Sequence, residues 1–212
     1  MIAIHRGIRQ GSEEWAMLRA GRVGGTNCSA LLANGKSGNG LGAAAVALAY
    51  KNAAEYATGP AEIGYISPAM QRGTELEPLA VRRYEEEYFS TVERVGYVSE
   101  GEYLGASPDG LIGDDGGIEV KCPEAAEFVR FLDTMEPDKG HYAQVQWCLY
   151  ITGREWWDFI YYHPEFAPAD LIVKRIYPDL DMFSKWDMNV PAYISEVSRI
   201  LGKVESEKQK RG

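Results

Sequence analysis

Residues 105–123 hold two turn signals around one short ribbon: Ser107-Pro108-Asp109-Gly110, then Asp114-Asp115-Gly116-Gly117. Pro presets φ at the second position of a tight turn and Gly relieves the fourth, so the first tetrapeptide reverses the chain. Leu111-Ile112 and Ile118-Glu119-Val120-Lys121 then read as two short antiparallel strands, with the turn predicted at 114–117. Side chains alternate on a strand, so Glu119 and Lys121 share one face while Ile118 and Val120 point into apolar packing. Folding back carries Asp109 toward the Glu119 end. Two carboxylates and one ammonium thus meet at a strand edge, and the rest of the chain must pack around that ribbon.

Magnesium prefers oxygen, keeps several waters, and is commonly held by one or two carboxylates plus substrate phosphate. Asp109 and Glu119, with the backbone carbonyl of Val120, make up such a protein share. Lys121 is placed to orient a water or take its proton, and to offset phosphate charge. The plainer reading is a turn followed by a solvated strand face, and the local pattern alone leaves both readings open.

Taken in order, Ser12 caps a helix with Glu13 and Glu14 in its first turn, Trp15 and Leu18 on the buried stripe, Arg19 near its end and Gly21 as its stop. Thr26 stands at the N-cap of a short helix, a good seat for phosphate. Residues 30–37 approximate a phosphate-binding loop, but Ala30 replaces the first Gly and no helix pattern follows, so no ATP site is implied. Residues 34–42 read as a mobile loop with Lys36 as a phosphate contact. An Ala-rich helix spans 41–58, stopped by Gly59-Pro60. Ser67-Pro68 opens another, carrying Leu76, Leu79, Tyr84, Tyr88, Glu75 and Glu77. Arg72, Arg82 and Arg83 read as surface or helix-pairing charges. Residues 91–99 and 103–106 alternate like strands leading into the hairpin. Helices follow at 124–133 (Phe128, Phe131 and Leu132 on its apolar side) and 139–152, and Gln144 and Gln146 on the latter cannot share a face. Strands are expected at 156–162 and 171–177, helices at 179–188 and 190–204 broken near Pro191, and a frayed charged tail at 205–212.

Five motifs together, in order, carry a family resemblance. They are Glu14-Trp15 with Leu18-Arg19, Arg72-Gly73 through Glu77, Ser107-Pro108-Asp109-Gly110, Glu119-Val120-Lys121-Cys122-Pro123, and Tyr142-Ala143-Gln144-Val145-Gln146. Over residues 10–204 the chain resembles the phage lambda-type alkaline exonucleases, the YqaJ-like viral recombinases, within the PD-(D/E)xK nucleases. The resemblance implies an α/β fold: a restriction-endonuclease-like core with a central mixed β-sheet flanked by helices, as one domain over 1–204. It implies metal held by Asp109, Glu119 and the Val120 carbonyl, Lys121 positioning the water, Glu77 as a supporting acid and Gln144 orienting water or substrate. Arg19, Thr26 and Ser107 would receive the 5′-phosphate; Thr26 replaces the serine usual there. The implied cofactor is Mg²⁺, as two ions, with Mn²⁺ able to substitute. The implied activity is processive 5′-to-3′ digestion of linear double-stranded DNA to 5′-mononucleotides, leaving a 3′ overhang. A homotrimeric ring and a phage single-strand annealing protein are the implied partners, in the bacterial host cytoplasm.

The formal net charge is −9, which by itself argues against a nucleic-acid partner. A nuclease that concentrates carboxylates around its metal weakens that argument, and a ring would replace adhesion by enclosure. The three cysteines lack C-x-x-C spacing, consistent with reduced thiols, and neither an iron–sulfur nor a zinc ligand set is present. No signal-peptide or membrane-spanning run occurs. Two other classes stay open, an internally cutting or structure-specific endonuclease and a non-catalytic DNA-end scaffold, which would need no Asp109, Glu119 and Lys121 set.

Overall fold

A computed structural model describes residues 1–35, 40–60 and 67–211. Lys36 lies outside the described residues. β1 (Ile2–His5), β2 (Tyr97–Glu100) and β3 (Leu104–Ala106) form an antiparallel sheet in that order. β4 (Gly110–Ile112), β5 (Gly116–Lys121), β6 (Trp156–Tyr162) and β7 (Leu171–Ile176) form a second, mixed sheet. Among the described strands of this sheet, only the β5–β6 pair is parallel. A parallel step needs a crossover, and α4 (Ala125–Thr134) with α5 (Lys139–Thr152) supplies it. The architecture is the expected α/β core, a mixed sheet flanked by helices.

The sequence reading differs first in the sheets: the strands before the hairpin belong to a separate sheet. They pair there with β1, a strand the N-terminal residues did not suggest, in register Ile2↔Glu100 and Val98↔Ala106. A backbone bridge between Glu93 and Leu111, with hydrogen bonds of 2.8 and 2.9 Å, joins the segment before β2 to the hairpin.

The hairpin turn lies at 113–115, with Gly113 at φ +52°, not at 114–117. Gly116 and Gly117 open β5 instead. A Cβ on them would meet the rings of Trp156 and Trp157 at 2.1 and 2.4 Å, so these glycines make room for two indoles on the neighbouring strand. The pairing Gly110↔Ile118 then fixes the register. Ile118 and Val120 pack against Ala80, Tyr84 and Ile160, which leaves Glu119 and Lys121 on the opposite face.

α1 (Glu13–Arg19) is capped by Ser12, whose Oγ accepts from Trp15 N–H, although none of its residues is fully buried. α2 (Ala43–Thr58) stops at Gly59, φ +89°. α3 (Pro68–Tyr88) begins at Ser67 with Pro in its first turn; Leu79 and Tyr88 are exposed on it, and Tyr84 is buried. Leu132 on α4 is also exposed. α6 (Leu180–Arg211) is one helix, running through Pro191 and through the charged end expected to fray. Trp186, Val190, Tyr193 and Val197 are buried along it, and that packing outweighs the roughly 3 kcal/mol cost of an interior proline. At its end, Glu205–Lys208 and Glu207–Lys210 pair one turn apart.

α3 is tied to the mixed sheet through a buried polar link. Tyr84 Oη donates to Asp158 on β6 at 2.6 Å, and Arg175 on β7 donates twice to the same carboxylate at 2.8 Å while lying over Trp156. Glu77 is carried on the helix anchored this way.

Candidate active site

β5 delivers Glu119 and Lys121 to a face shared with α5. Lys121 Nζ donates to Glu119 Oε1 at 2.6 Å and to Gln144 Oε1 at 3.3 Å, and Gln144 Nε2 donates to the same Glu119 oxygen at 2.6 Å. The three side chains close a triangle. Gln146 points elsewhere: it is fully buried, donates to the Tyr177 carbonyl and accepts from Asp179 N–H. One glutamine therefore serves the site and the other holds the entrance to α6.

Asp109, from the turn before β4, accepts from Val120 N–H through Oδ2 at 2.7 Å. The N–H and C=O of one strand residue point to the same edge, so the Val120 carbonyl faces the Asp109 edge too. β4 pairs no further than Gly110↔Ile118, which leaves that edge open beside Val120.

Burial raises the Asp109 carboxyl well above its usual range, and the charges of Glu119 and Glu77 raise it further, against Lys121 and the Val120 N–H. Glu119 is raised by burial and by Glu77, against Lys121. Burial pulls Lys121 down, but Glu119 and Asp109 overcome it and hold the amine in its protonated form. Glu77 thus acts on both carboxylates from α3, while its own side chain pairs with Arg94.

These residues suit a hard cation. Glu119 Oε2 is inaccessible to solvent and has no hydrogen-bond partner, an uncompensated position for a carboxylate oxygen. Among the described residues no three His, Cys, Asp or Glu side chains converge as a metal-binding group. Two carboxylates and a backbone carbonyl are the donor types that a hard cation takes when water and substrate oxygens complete its shell.

A second cluster adjoins the first. Trp15 Nε1 donates to Ser107 Oγ at 3.1 Å, and the Arg19 guanidinium lies over the Trp15 ring at 4.0 Å. Burial lowers the Arg19 pKa, against Tyr97 and Glu55. Ser107 stands two residues before Asp109 on one turn, which Gln10 pins through the Pro108 carbonyl at 2.9 Å. Thr26 is not joined to this cluster: it is exposed and has no hydrogen bond among the described residues. The helix expected after it is a five-residue 3₁₀ turn, Cys28–Leu32, with Asn27 at its N-cap and the Asn27 amide oxygen accepting from Gly24 N–H at 2.8 Å.

Three contributors escaped the sequence reading. Trp15 looked like helix core, but its ring bridges Arg19 and Ser107. Gly25 packs so closely on Gln144 that a Cβ there would meet Gln144 Cγ at 2.8 Å. Arg72 is no surface charge: its Nε and Nη2 are buried without partners. Arg83 does pair as expected, with Glu87 and Asp170.

Fold and site together define a nuclease, and the chain belongs to the YqaJ-like viral recombinase family, whose domain matches residues 14–155. It is similar over 95% of its length, and 100% of the other chain, to an alkaline exonuclease, LHK-Exo from Laribacter hongkongensis, at 30% identity and a TM-score of 0.80. The complex of LHK-Exo with dAMP matches over the same shares at 30% identity and a TM-score of 0.79. A phage related exonuclease from Haemophilus somnus 129PT shares the fold at 15% identity, with a TM-score of 0.67, 86% of this chain and 96% of that chain. No curated protein matches significantly. Among the described residues, no helix is long and apolar enough to cross a membrane.

Proposed function

We propose that the chain is a Mg²⁺-dependent, processive 5′-to-3′ exonuclease on linear double-stranded DNA, releasing 5′-mononucleotides and leaving a 3′ single strand for annealing. The observation that carries this reading is the placement of Ser107 and Asp109 on one turn. Ser107 belongs to the Arg19–Trp15 cluster and Asp109 to the carboxylate group, so a terminal phosphate held by the first puts the next phosphodiester against the second. LHK-Exo is described in complex with dAMP, a nucleoside monophosphate of the kind such a reaction releases.

Asp109, Glu119 and the Val120 carbonyl would hold the metal ions. When bound, these supply Lewis-acid polarisation of the phosphoryl oxygens and lower the pKa of a water. The chain's own groups do the positioning. Protonated Lys121 donates to the attacking water and offsets charge developing on the phosphoryl group, while Gln144 fixes Glu119 and the ammonium relative to each other. Glu77 adds negative potential, which strengthens cation binding. Arg19 and Ser107 give the terminal phosphate a charged and a neutral donor, and Thr26, on the separate turn before the 3₁₀ segment, is the further hydroxyl proposed for it. A homotrimeric ring and a single-strand annealing protein complete the proposed assembly, in the bacterial cytoplasm; enclosure would account for processivity in a chain of net charge −9.

The test is digestion of end-labelled linear duplex with 5′-phosphate or 5′-hydroxyl ends, and of closed circular duplex, with and without Mg²⁺. Mononucleotide release from linear DNA only, dependent on metal and faster with 5′-phosphate, is expected. Cutting of closed circles at the linear rate would establish an endonuclease instead, and binding without cutting a scaffold.

A further inference from the structure

His141 stands one turn before Gln144 on α5. A spacing of three puts the two side chains on one side of the helix, about 4.5 Å apart along its axis. The His141 ring lies 6.1 Å from that of Phe159, centroid to centroid, and Phe159 is the residue of β6 registered opposite Glu119. Helix spacing and ring packing thus hold the imidazole beside the Glu119–Lys121–Gln144 triangle.

The two ring nitrogens have different surroundings. Nδ1 is inaccessible to solvent and has no hydrogen-bond partner. Nε2 is not sealed in this way, and no hydrogen bond from the described residues reaches it, so it is the solvent-facing end of a half-buried ring. A buried N–H without an acceptor is rarer than a bare acceptor without a donor, which puts the hydrogen of the neutral ring on Nε2. Burial and the charge of Lys121 lower the His141 pKa, against Asp138 and Glu127 and with a further push from Arg130, so the ring is neutral at pH 7. The acids near it are engaged elsewhere. Asp138 Oδ1 takes the Gly140 N–H at 2.7 Å, and Glu127 takes Arg130 at 2.6 and 2.9 Å and the Tyr161 hydroxyl at 3.3 Å. A ring kept only for packing on Phe159 would be better as phenylalanine, because an unmatched buried nitrogen costs free energy.

We propose that His141 contacts the substrate, its Nε2–H donating to a non-bridging oxygen of the scissile phosphate alongside Lys121 and Gln144. This rests on the nuclease reading above and adds one donor to it. A second cation beside Lys121 would repel both the ammonium and the metal ions, whereas a neutral N–H stabilises charge on the phosphoryl oxygens without that cost.

The test compares His141→Phe, which keeps a ring against Phe159 and removes both nitrogens, with His141→Gln, whose amide restores a donor near the place of Nε2. Single-turnover release of the first nucleotide from saturating 5′-phosphorylated linear duplex with Mg²⁺ is read beside thermal unfolding. His141→Phe should lose about 10- to 100-fold in rate, the worth of one hydrogen bond to a charged group, and His141→Gln should stay within about fivefold of wild type. Stability should run the other way. His141→Phe should melt at or above wild type, since no nitrogen is left unmatched, and His141→Gln below it. A His141→Phe protein as fast as wild type, or no slower than His141→Gln, would overturn the assignment and leave the nuclease reading standing. Absence of metal-dependent release by wild type would overturn that parent reading instead. A second measurement needs no variant, because the chain has only three histidines. Wild type carrying ¹⁵N-histidine is titrated, with Mg²⁺, with a duplex whose first scissile linkage has CH₂ in place of the 3′-oxygen, which keeps both non-bridging oxygens and resists cleavage. His141 Nε2 should resonate as the protonated nitrogen of a neutral ring and shift on binding. A protonated Nδ1, or a His141 signal unmoved at saturating duplex, refutes the contact.

Discussion

Gly25→Ala places a methyl group where the structure has no room. The added carbon would stand 2.8 Å from Gln144 Cγ, 3.6 Å from its Cβ and 3.7 Å from its Cα. An ordinary carbon–carbon contact needs about 3.5–4.0 Å, so one side must retreat by about 0.7–1.2 Å. The turn is the stiffer side. Val23 N–H donates to Tyr103 O at 2.8 Å, Gly24 N–H to Asn27 Oδ1 at 2.8 Å, and Cys28 N–H to Gly24 O at 2.9 Å. The Gln144 side chain yields first, and with it go the 2.6 Å bond to Glu119 and the 3.3 Å contact with Lys121. Misplacement of a positioning group by about 1 Å costs on the order of 10²-fold in rate, so kcat on linear duplex should fall by about that factor. Stability should change little, since overpacking costs about 1–3 kcal/mol but a flexible amide absorbs part of it. Gly24→Ala is the internal control: its Cβ meets nothing nearer than Gly105 O at 4.0 Å, and it should stay near wild type. A Gly25→Ala/Gln144→Ala double variant should be no slower than Gln144→Ala alone. Indistinguishable kcat for the two alanine variants would refute the reasoning, because only one of them reaches the glutamine.

Burial and like charges raise Asp109 and Glu119, so each contributes stability below its unfolded pKa that is lost as pH rises through the raised folded value. In EDTA, Asp109→Asn, which keeps an acceptor for the Val120 N–H, should therefore melt above wild type at neutral pH and close to it below about pH 4. Mg²⁺ at 100 times its Kd should reverse the order by stabilising wild type alone by about 2.7 kcal/mol, or about 5–11 °C; equal metal-induced shifts in both proteins would contradict the ligand assignment. Asp158→Ala strips Tyr84 and Arg175 of their shared acceptor. Breaking a buried pair costs about 3–5 kcal/mol, and the half-exposed Arg175 brings that down to about 2–3 kcal/mol. Chemical denaturation should report that loss, and a change below about 0.5 kcal/mol would mean that α3 is not anchored there.

Legibility in the sequence followed the range of the interactions. Ser12, Ser67, Gly59 and the α5 boundaries could be read because caps and stops act within one helical turn. The alternation of 118–121 gave the correct faces, because period two needs only local backbone. β1 was invisible, since four residues of Ile-Ala-Ile-His become a strand only by pairing with a segment some ninety residues away. The hairpin turn shifted because Gly116 and Gly117 are demanded by two tryptophans forty residues on, not by the turn itself. Pro191 promised a break that packing against α2 and the 3₁₀ turn overrode. Trp15, Gly25 and Arg72 share that origin: the first looked like core, the third like surface charge, the second had no reading of its own, and only the tertiary arrangement places them.

Arg72 and Glu119 also bear on how the chain carries charge in its interior. Both have atoms inaccessible to solvent and without a hydrogen-bond partner, one group positive and one negative. A local separation of opposite charges in a place of low dielectric is worth more to an incoming metal phosphate than net surface charge, because the dipoles are already oriented and water need not be reorganised. The Asp158–Arg175–Tyr84 link shows that the same chain satisfies another buried carboxylate through both of its oxygens. A carboxylate matched through both oxygens on β6 and one left with an unmatched oxygen on β5 therefore stand on neighbouring strands of one sheet, the contrast on which the proposed cation site at Glu119 rests.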